Sequence, residues 1–175
     1  MGQVVKTTDA LGNTEEFTYN DYGNVMYKLD KDGFLTKYAY TKTNQLEEVV
    51  YADGNSVKLS YNPLRQLTEI RDWLGITKIE VDEIGRTKKV TDHNGNEVEY
   101  TFGSEGEKRS IKYPNGKVAE YVYDDTLRLK TLIDGENKID YLYDNNSRLS
   151  DKVFSTGVST KYSYNDMGQV FLRKT

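Results

Sequence analysis

No cysteine occurs among the 175 residues, and the chain has one histidine, one tryptophan and two prolines. The missing thiols exclude a disulfide scaffold and any thiolate metal site, while leaving the compartment open. No apolar run approaches the roughly 20 residues of a membrane-spanning helix, and no signal-peptide core is present. Nor is charge of one sign massed anywhere. Lys and Arg number 24 against 28 Asp and Glu, a net charge of −4, and the cations are scattered. That excludes the basic footprint of a nucleic-acid binder. Neither nucleic acid nor membrane insertion is expected of this chain.

What is present in excess is tyrosine, with 15 residues, beside 14 glycines. A disordered segment is poor in aromatics, so this chain is expected to fold. With 36% hydrophobic and 30% charged residues, its core is expected to be thin or one-sided.

The tyrosines are periodic. The stretch YVYDDTLRLKTLIDGENKIDYLYDNNSRL, from Tyr121 to Leu149, states one phrase twice. Anchored on the last aromatic before each Asp or Asn, the series runs Tyr19, Tyr40, Tyr61, Val81, Phe102, Tyr123, Tyr143, Tyr164, with steps of 21, 21, 20, 21, 21, 20 and 21 residues. A second series in phase with it is Gly12, Gly33, Gly54, Gly75, Gly95, Gly116, Gly135 and Gly157. Two series sharing one period across the chain mark a repeat architecture.

Within each repeat the residues before the anchor alternate, as in Ala119, Tyr121 and Tyr123, the signature of a strand. Turns punctuate each repeat twice. Asp9 to Gly12, Asp30 to Gly33, Asp72 to Gly75 and Asp92 to Gly95 place Asp first and Gly fourth; Asn20 to Gly23, Asp82 to Gly85 and Asn165 to Gly168 do so after the anchors. This suits a type I turn closed by a left-handed residue, with Pro63 and Pro114 one residue into such turns. Arg65, Leu127 and Ser147 fill the glycine slot, and those turns are expected to be looser. Connections so short join antiparallel neighbours, which predicts roughly sixteen strands of about five to six residues.

Read in columns, Phe17, Tyr38, Leu59, Ile79, Tyr100, Tyr121, Tyr141 and Tyr162 stand on the anchors' face. Glu16, Lys37, Lys58, Lys78, Glu99, Glu120, Asp140 and Lys161 fall on the other, so one face is expected to be aromatic and the other charged. The returning strands start at Val25, Leu46, Leu67, Leu129, Leu149 and Val170, and carry Val49, Ile70, Val90, Ile111 and Leu132 three residues into the strand. Because three is odd, a bulge or sharp twist is expected there.

These repeats, seen in YNDYGNV, VDEIGRT, YDDTLRL, YDNNSRL and YNDMGQV, with TDALGNTEEFTY and TDHNGNEVEYTF as the other half, resemble the YD repeats of the RHS (rearrangement hotspot) family over essentially the whole chain. The resemblance implies an all-β fold, a repetitive antiparallel β-hairpin ribbon or YD-repeat solenoid forming part of a spiral, hollow shell. Members include bacterial RHS and wall-associated polymorphic toxins, insecticidal toxin-complex subunits and the extracellular barrel of teneurins. In the toxins the shell encloses a C-terminal toxic domain, and in teneurins it belongs to an adhesion receptor. A secreted or cell-surface protein is thereby implied. Complete shells have many more repeats than eight, and toxin-bearing members end in a Pro- and Asp-rich boundary. This chain has only Pro63 and Pro114 and starts and stops within a repeat. Residues 1–175 are therefore expected to be a single array cut from a larger shell, without cargo or cleavage apparatus.

Reactive groupings are sparse. His93, in TDHNGNE, has no second histidine or cysteine to work with and is expected to be an exposed turn residue. Asp30, Asp32 and Gly33, or Asp92, Asn94, Asn96 and Glu97, look like fragments of a calcium loop. They lack its full spacing, and turns select the same residues for backbone reasons. Glu47 with Glu48 and Asp124 with Asp125 are adjacent pairs, which a strand points to opposite faces. No catalytic, metal or cofactor site is expected.

The residues that remain are the repeat anchors and their neighbours: Tyr19, Tyr40, Tyr61, Phe102, Tyr121, Tyr123, Tyr141, Tyr143, Tyr162 and Tyr164, with the turn glycines Gly12, Gly33, Gly54, Gly75, Gly95, Gly116 and Gly157. The rings read either as lining that holds strands in register or as a surface for a carbohydrate or protein partner. The expected role is a non-catalytic length of shell wall enclosing or displaying a cargo, with the remainder of the shell as partner. A cell-surface binding module is the alternative. Sheet edges and a bared apolar face also predict that the excised chain self-associates.

Overall fold

The computed structural model describes residues 2–174, with side chains as far as Phe171. The described residues contain 17 strands and no helix. They fall into two compact arrays, residues 1–96 and 97–175.

The first array contains β1 (Lys6–Thr8), β2 (Thr14–Tyr19), β3 (Val25–Leu29), β4 (Leu35–Tyr40), β5 (Leu46–Val50), β6 (Ser56–Tyr61), β7 (Leu67–Arg71), β8 (Ile76–Val81) and β9 (Thr87–Thr91). The second contains β10 (Glu97–Phe102), β11 (Lys108–Lys112), β12 (Val118–Tyr123), β13 (Leu129–Asp134), β14 (Asn137–Tyr143), β15 (Leu149–Phe154), β16 (Ser159–Tyr164) and β17 (Val170–Lys174). Within each array every strand pairs antiparallel with its sequence neighbours, and the strands touch no others. Each array is one sheet thick.

The expected irregularity is present in all eight repeats. Tyr40 pairs with Leu46 while Ala39 pairs with Glu48, so Glu47 is surplus. Met26, Thr68, Lys88, Arg109, Lys130, Ser150 and Phe171 are surplus in the same way. The bulge turns the odd spacing into a shared face: Leu46 stands opposite Tyr40 and Val49 opposite Tyr38.

The turns also follow a rule. At nine of them the head is an Asp or Asn whose Oδ1 accepts the backbone N–H groups two and four residues on, as at Asp9 from Leu11 (2.8 Å) and Asn13 (3.0 Å) and at Asn20, Asp30, Asn62, Asp82, Asp92, Asp124, Asp144 and Asn165. The Asx side chain thus satisfies turn donors that the ladder leaves over.

One expectation is corrected here. Arg65, Leu127 and Ser147 do not loosen their turns: with Asn44 they adopt φ of 60° to 66° and close the turn as glycine does, each N–H reaching the head residue's carbonyl at 2.9 Å. A left-handed L-residue costs about 1–2 kcal/mol, and neighbouring repeats hold three of the four in place. Asn24 Nδ2 donates to Asn44 Oδ1, Gln45 Nε2 to Arg65 O at 2.9 Å, and Arg128 Nη1 to Ser147 Oγ at 2.9 Å.

The two 20-residue steps come from turns, not strands. Trp73 and Leu74 form a two-residue turn between Asp72 and Gly75, which exchange N–H···O bonds at 3.0 and 3.2 Å; Gly135 and Glu136 do the same between Asp134 and Asn137. Gly75 sits at φ +139°, and a β-carbon there would run into His93.

The core is as thin as composition implies. Val49 and Ala119 are the only buried hydrophobic residues among those described, joined by Thr131 and Thr160, and no side chain is fully enclosed. The chain exposes 12436 Å², against about 8700 Å² for a compact globular chain of its mass. Neither face of a single sheet can bury much against itself.

One turn without Asp or Asn at its head repairs itself. Gly103 stands at that head, and Glu107 folds back into the vacated space, its Oε2 accepting the Glu105 N–H at 3.1 Å. Only 6% of the Glu107 side chain is exposed, and Arg109 pairs with its carboxylate. Its own backbone N–H, then Arg109 and the Glu105 N–H, hold the carboxyl below the usual range against the opposing effect of burial. Gly103→Asp alone would collide with that carboxylate, and Glu107→Asn alone would leave the turn without an acceptor. Each is expected to lower Tm, whereas the double variant recreates the Asp9 and Asn13 arrangement and should recover most of the loss. Thermal melts of the four proteins test this; additive losses would show that the two positions do not share one space.

Candidate functional site

The side chains that sequence reasoning singled out lie along one face of each array. All sixteen anchor and pre-anchor residues, from Phe17 and Tyr19 through Tyr162 and Tyr164, are half-buried, and their strand neighbours are mostly exposed. The aromatic ones in the first array are Tyr19, Tyr40 and Tyr61 with Phe17 and Tyr38, beside Leu59, Ile79 and Val81. In the second they are Tyr100, Phe102, Tyr121, Tyr123, Tyr141, Tyr143, Tyr162 and Tyr164.

The phenol tips of five anchors are engaged. Tyr40 donates to the carbonyl of Val25 (2.9 Å), Tyr61 to Leu46 (2.8 Å), Tyr143 to Leu129 (2.7 Å) and Tyr164 to Leu149 (2.8 Å). Tyr19 donates likewise to Val4 O at 2.6 Å. In the first four cases the acceptor is the first residue of the preceding returning strand, immediately before the surplus residue, so each anchor clamps its repeat to the one before. Burial, and then the neighbouring Tyr38, push the Tyr40 phenol above its ordinary pKa; burial followed by the nearby Asp124 carboxylate does the same for Tyr143. The hydroxyls remain protonated donors.

A second clamp uses the Arg that follows each YD by four residues. Arg128 places both Nε and Nη2 at 2.7 Å from Asp124 Oδ2 while its guanidinium stacks 4.6 Å from the centre of the Tyr143 ring in the next repeat. Arg148 binds Asp144 at 2.7 Å and stacks on Tyr164 at 4.6 Å in the same fashion. Backbone N–H bonds, foremost from Arg128, hold Asp124 far below the usual carboxylate range; at Asp144 the Arg148 side chain is the leading cause. The Asp–Arg spacing was visible in the sequence, but nothing there tells which ring the guanidinium covers.

The expected division of rings and ions between faces holds only in part. The charged face does carry cross-strand pairs, Lys6 with Glu16 at 2.8 Å, Lys58 with Glu48 at 3.3 Å and Lys112 with Glu99 at 3.0 Å. The ring face has cations too. Lys28 lies 5.7 Å from the Phe17 ring, Lys108 5.4 Å from Tyr100 and Lys152 5.7 Å from Tyr141. Lys28 and Lys152 occupy the slot that Val49 and Ile70 fill elsewhere, three residues into the returning strand. The ammonium groups lie over the rings there, and Lys28 Nζ is also paired with Glu15 at 2.8 Å.

The remaining candidates are placed plainly. His93 is an exposed turn residue whose Nε2 meets Asn94 Nδ2 at 2.9 Å. Asp30 and Asp92 spend their carboxylates on their own turns. Among the described residues no cluster of three His, Cys, Asp or Glu stands in metal-binding geometry.

Both clamps have a measurable weight. Tyr143→Phe removes one part-buried hydrogen bond and is expected to cost about 1 kcal/mol, and Arg128→Ala removes an exposed cation–ring contact worth about 0.5–1 kcal/mol. Each should lower Tm by about 2–4 °C, with Arg128→Lys recovering little because it lacks the planar fork. Thermal denaturation followed by circular dichroism checks this; an unchanged Tm in both single variants would refute the clamps.

The comparisons with known proteins agree with this geometry. Residues 1–147 match the family model for the teneurin YD-shell. Double-stranded DNA deaminase toxin A of Burkholderia cenocepacia (strain H111) is 21% identical over 170 residues, covering 97% of this chain and 10% of the toxin. Among solved structures, the Photorhabdus luminescens Tc holotoxin pore superposes with a TM-score of 0.77 at 14% identity, over 91% of this chain and 10% of that one. The TcdB2-TccC3-Cdc42 crystal structure gives 0.76 at 14% identity, over 88% and 10%. At such identities the structural likeness speaks for the fold alone, and this chain spans about a tenth of the length of each of these relatives. With serial hairpins, a tyrosine anchor in phase and a family match over most of its length, the chain belongs to the teneurin YD-shell family.

Proposed function

We propose that this shell segment is a non-catalytic stretch of wall in a longer secreted or cell-surface protein, and that the wall encloses a cargo such as a toxic domain. The observation that carries this reading is the pair of clamps, Tyr phenol to carbonyl and Asp–Arg to ring, which tie one repeat to the next along a sheet one layer thick. Such a sheet is stiffened by its own side chains while its ring face stays only half-covered. The names of its relatives, a DNA deaminase toxin and a Tc holotoxin, support a toxin as the enclosed partner. The phenol tips and capped rings described above leave the anchors poorly suited to stacking on sugars, so the binding-module reading is not adopted for this face.

Protease protection of the full-length parent protein tests the enclosure. A cargo segment that is cut slowly in the intact protein, and rapidly once expressed without the repeat region, supports it; equal rates would overturn it. The partner reading has its own check. The ring face and the outer edges of β1 and β17 have no further described partner, so the 175-residue chain on its own is expected to self-associate. Sedimentation velocity across a concentration series should show this as a rising sedimentation coefficient, and a strictly monomeric species at all concentrations would count against it.

A further inference from the structure

The chain has two Asn–Gly dipeptides, Asn94–Gly95 and Asn115–Gly116. Asparagine before glycine is where a main chain most readily attacks its own side chain, because no Cβ shields the following N–H. Both dipeptides stand at the same place in the same kind of turn. Gly95 and Gly116 adopt φ of +83° and +80°, and their N–H groups donate to Asp92 O at 3.0 Å and to Tyr113 O at 2.9 Å. All four residues are exposed, and beyond its chain neighbours neither glycine has an atom within 4 Å of the place a β-carbon would take.

What differs is the company of the two carboxamides. Asn115 follows Pro114, which has no proton to give, and its Oδ1 accepts the Lys117 N–H at 3.0 Å. Asn94 follows His93, the only histidine of the chain, and its Nδ2 lies 2.9 Å from the imidazole Nε2. The histidine is seated from behind as well, since its β-carbon occupies the space that a β-carbon on Gly75 would need. Asp92 does not compete for the contact. Its carboxylate accepts the Asn94 and Asn96 N–H groups and the Asn96 Nδ2.

We propose that Asn94 is a self-modification site, at which the chain converts its own asparagine to aspartate and isoaspartate with His93 as general acid. The Gly95 backbone nitrogen gives its proton to solvent and bonds to the Asn94 Cγ, forming a tetrahedral centre. The Cγ–Nδ2 bond then breaks, and Nδ2 leaves as ammonia with a proton handed over by the imidazolium Nε2, which solvent restores. Water opens the resulting cyclic imide at either carbonyl, so one water is consumed and one ammonia released, with no change of oxidation state. Imidazole suits this part because it gives and takes protons near neutral pH, and at 2.9 Å it reaches the leaving nitrogen directly. The attack requires the Gly95 N–H to let go of Asp92 O, a single bond at an exposed turn. Opening to isoaspartate routes the main chain through the side chain and lengthens the connection of residues 92–96 between β9 and β10. None of this depends on whether the wall encloses a cargo.

Peptide mapping by mass spectrometry of the 175-residue chain, aged in neutral buffer, reads both dipeptides in one sample. Conversion at Asn94 is expected to run about tenfold faster than at Asn115, below the roughly 10²–10⁴ of an enclosed general acid. His93→Gln keeps a hydrogen-bonding group beside the carboxamide but cannot transfer a proton, and it is expected to bring Asn94 down to the pace of Asn115. Equal rates at the two sites in the unaltered chain, or a ratio unchanged in His93→Gln, would overturn the proposal. So would the same ratio in the urea-unfolded chain, which would trace it to neighbouring sequence and not to the folded contact. The folded and unfolded comparison uses the unaltered chain, so it decides the matter even where the variant folds poorly.

Discussion

One surplus residue at the head of every returning strand governs what the two faces of these sheets can hold. Were Glu47 paired in the ladder instead of bulged out of it, Leu46 and Val49 would point to opposite sides, and the apolar pair that faces Tyr40 and Tyr38 could not form. A bulge also disturbs the ladder locally, and the carbonyls that accept the phenols, on Val25, Leu46, Leu129 and Leu149, stand immediately before the surplus residues. The tyrosine hydroxyl thus supplies a partner where regular pairing is interrupted. Ring burial, strand register and the link between repeats all follow from that arrangement.

Much of this was legible in the amino-acid order because its causes are local. Glycine at positive φ, Asp at the turn head and alternation before each anchor are properties of a few adjacent residues, and eight copies reinforce one another. The three-residue spacing from Leu46 to Val49 disclosed the bulge for the same reason. What stayed hidden depends on which repeat lies beside which. The stacking of Arg128 on Tyr143 needs the three-dimensional offset of neighbouring repeats, and Gly103 is explained only by the carboxylate of Glu107 four residues away. Lys28 and Lys152 could have been noticed as charged interruptions of an aliphatic column, a signal that column-reading for hydrophobic residues passes over. Leu127 shows the converse, where local preference argues against a left-handed turn and the surrounding ladder imposes one.

The two shorter repeats show where this design tolerates loss. Removing one residue inside a strand would turn every following side chain to the wrong face. At Trp73–Leu74 and at Gly135–Glu136 the missing residue is taken from a turn, and the strands on either side keep their faces. Turns are therefore where the period drifts between 21 and 20 residues while the ring face stays in phase.

Because each strand meets only those beside it in sequence, no contact in either array depends on how many repeats exist. Stability then accrues link by link, as in a zipper with identical teeth. A gene that duplicates or drops one 20- or 21-residue module creates no junction of a new kind. For proteins of this construction, size becomes a quantity that heredity adjusts by copying, with no fresh solution to the packing problem at each length.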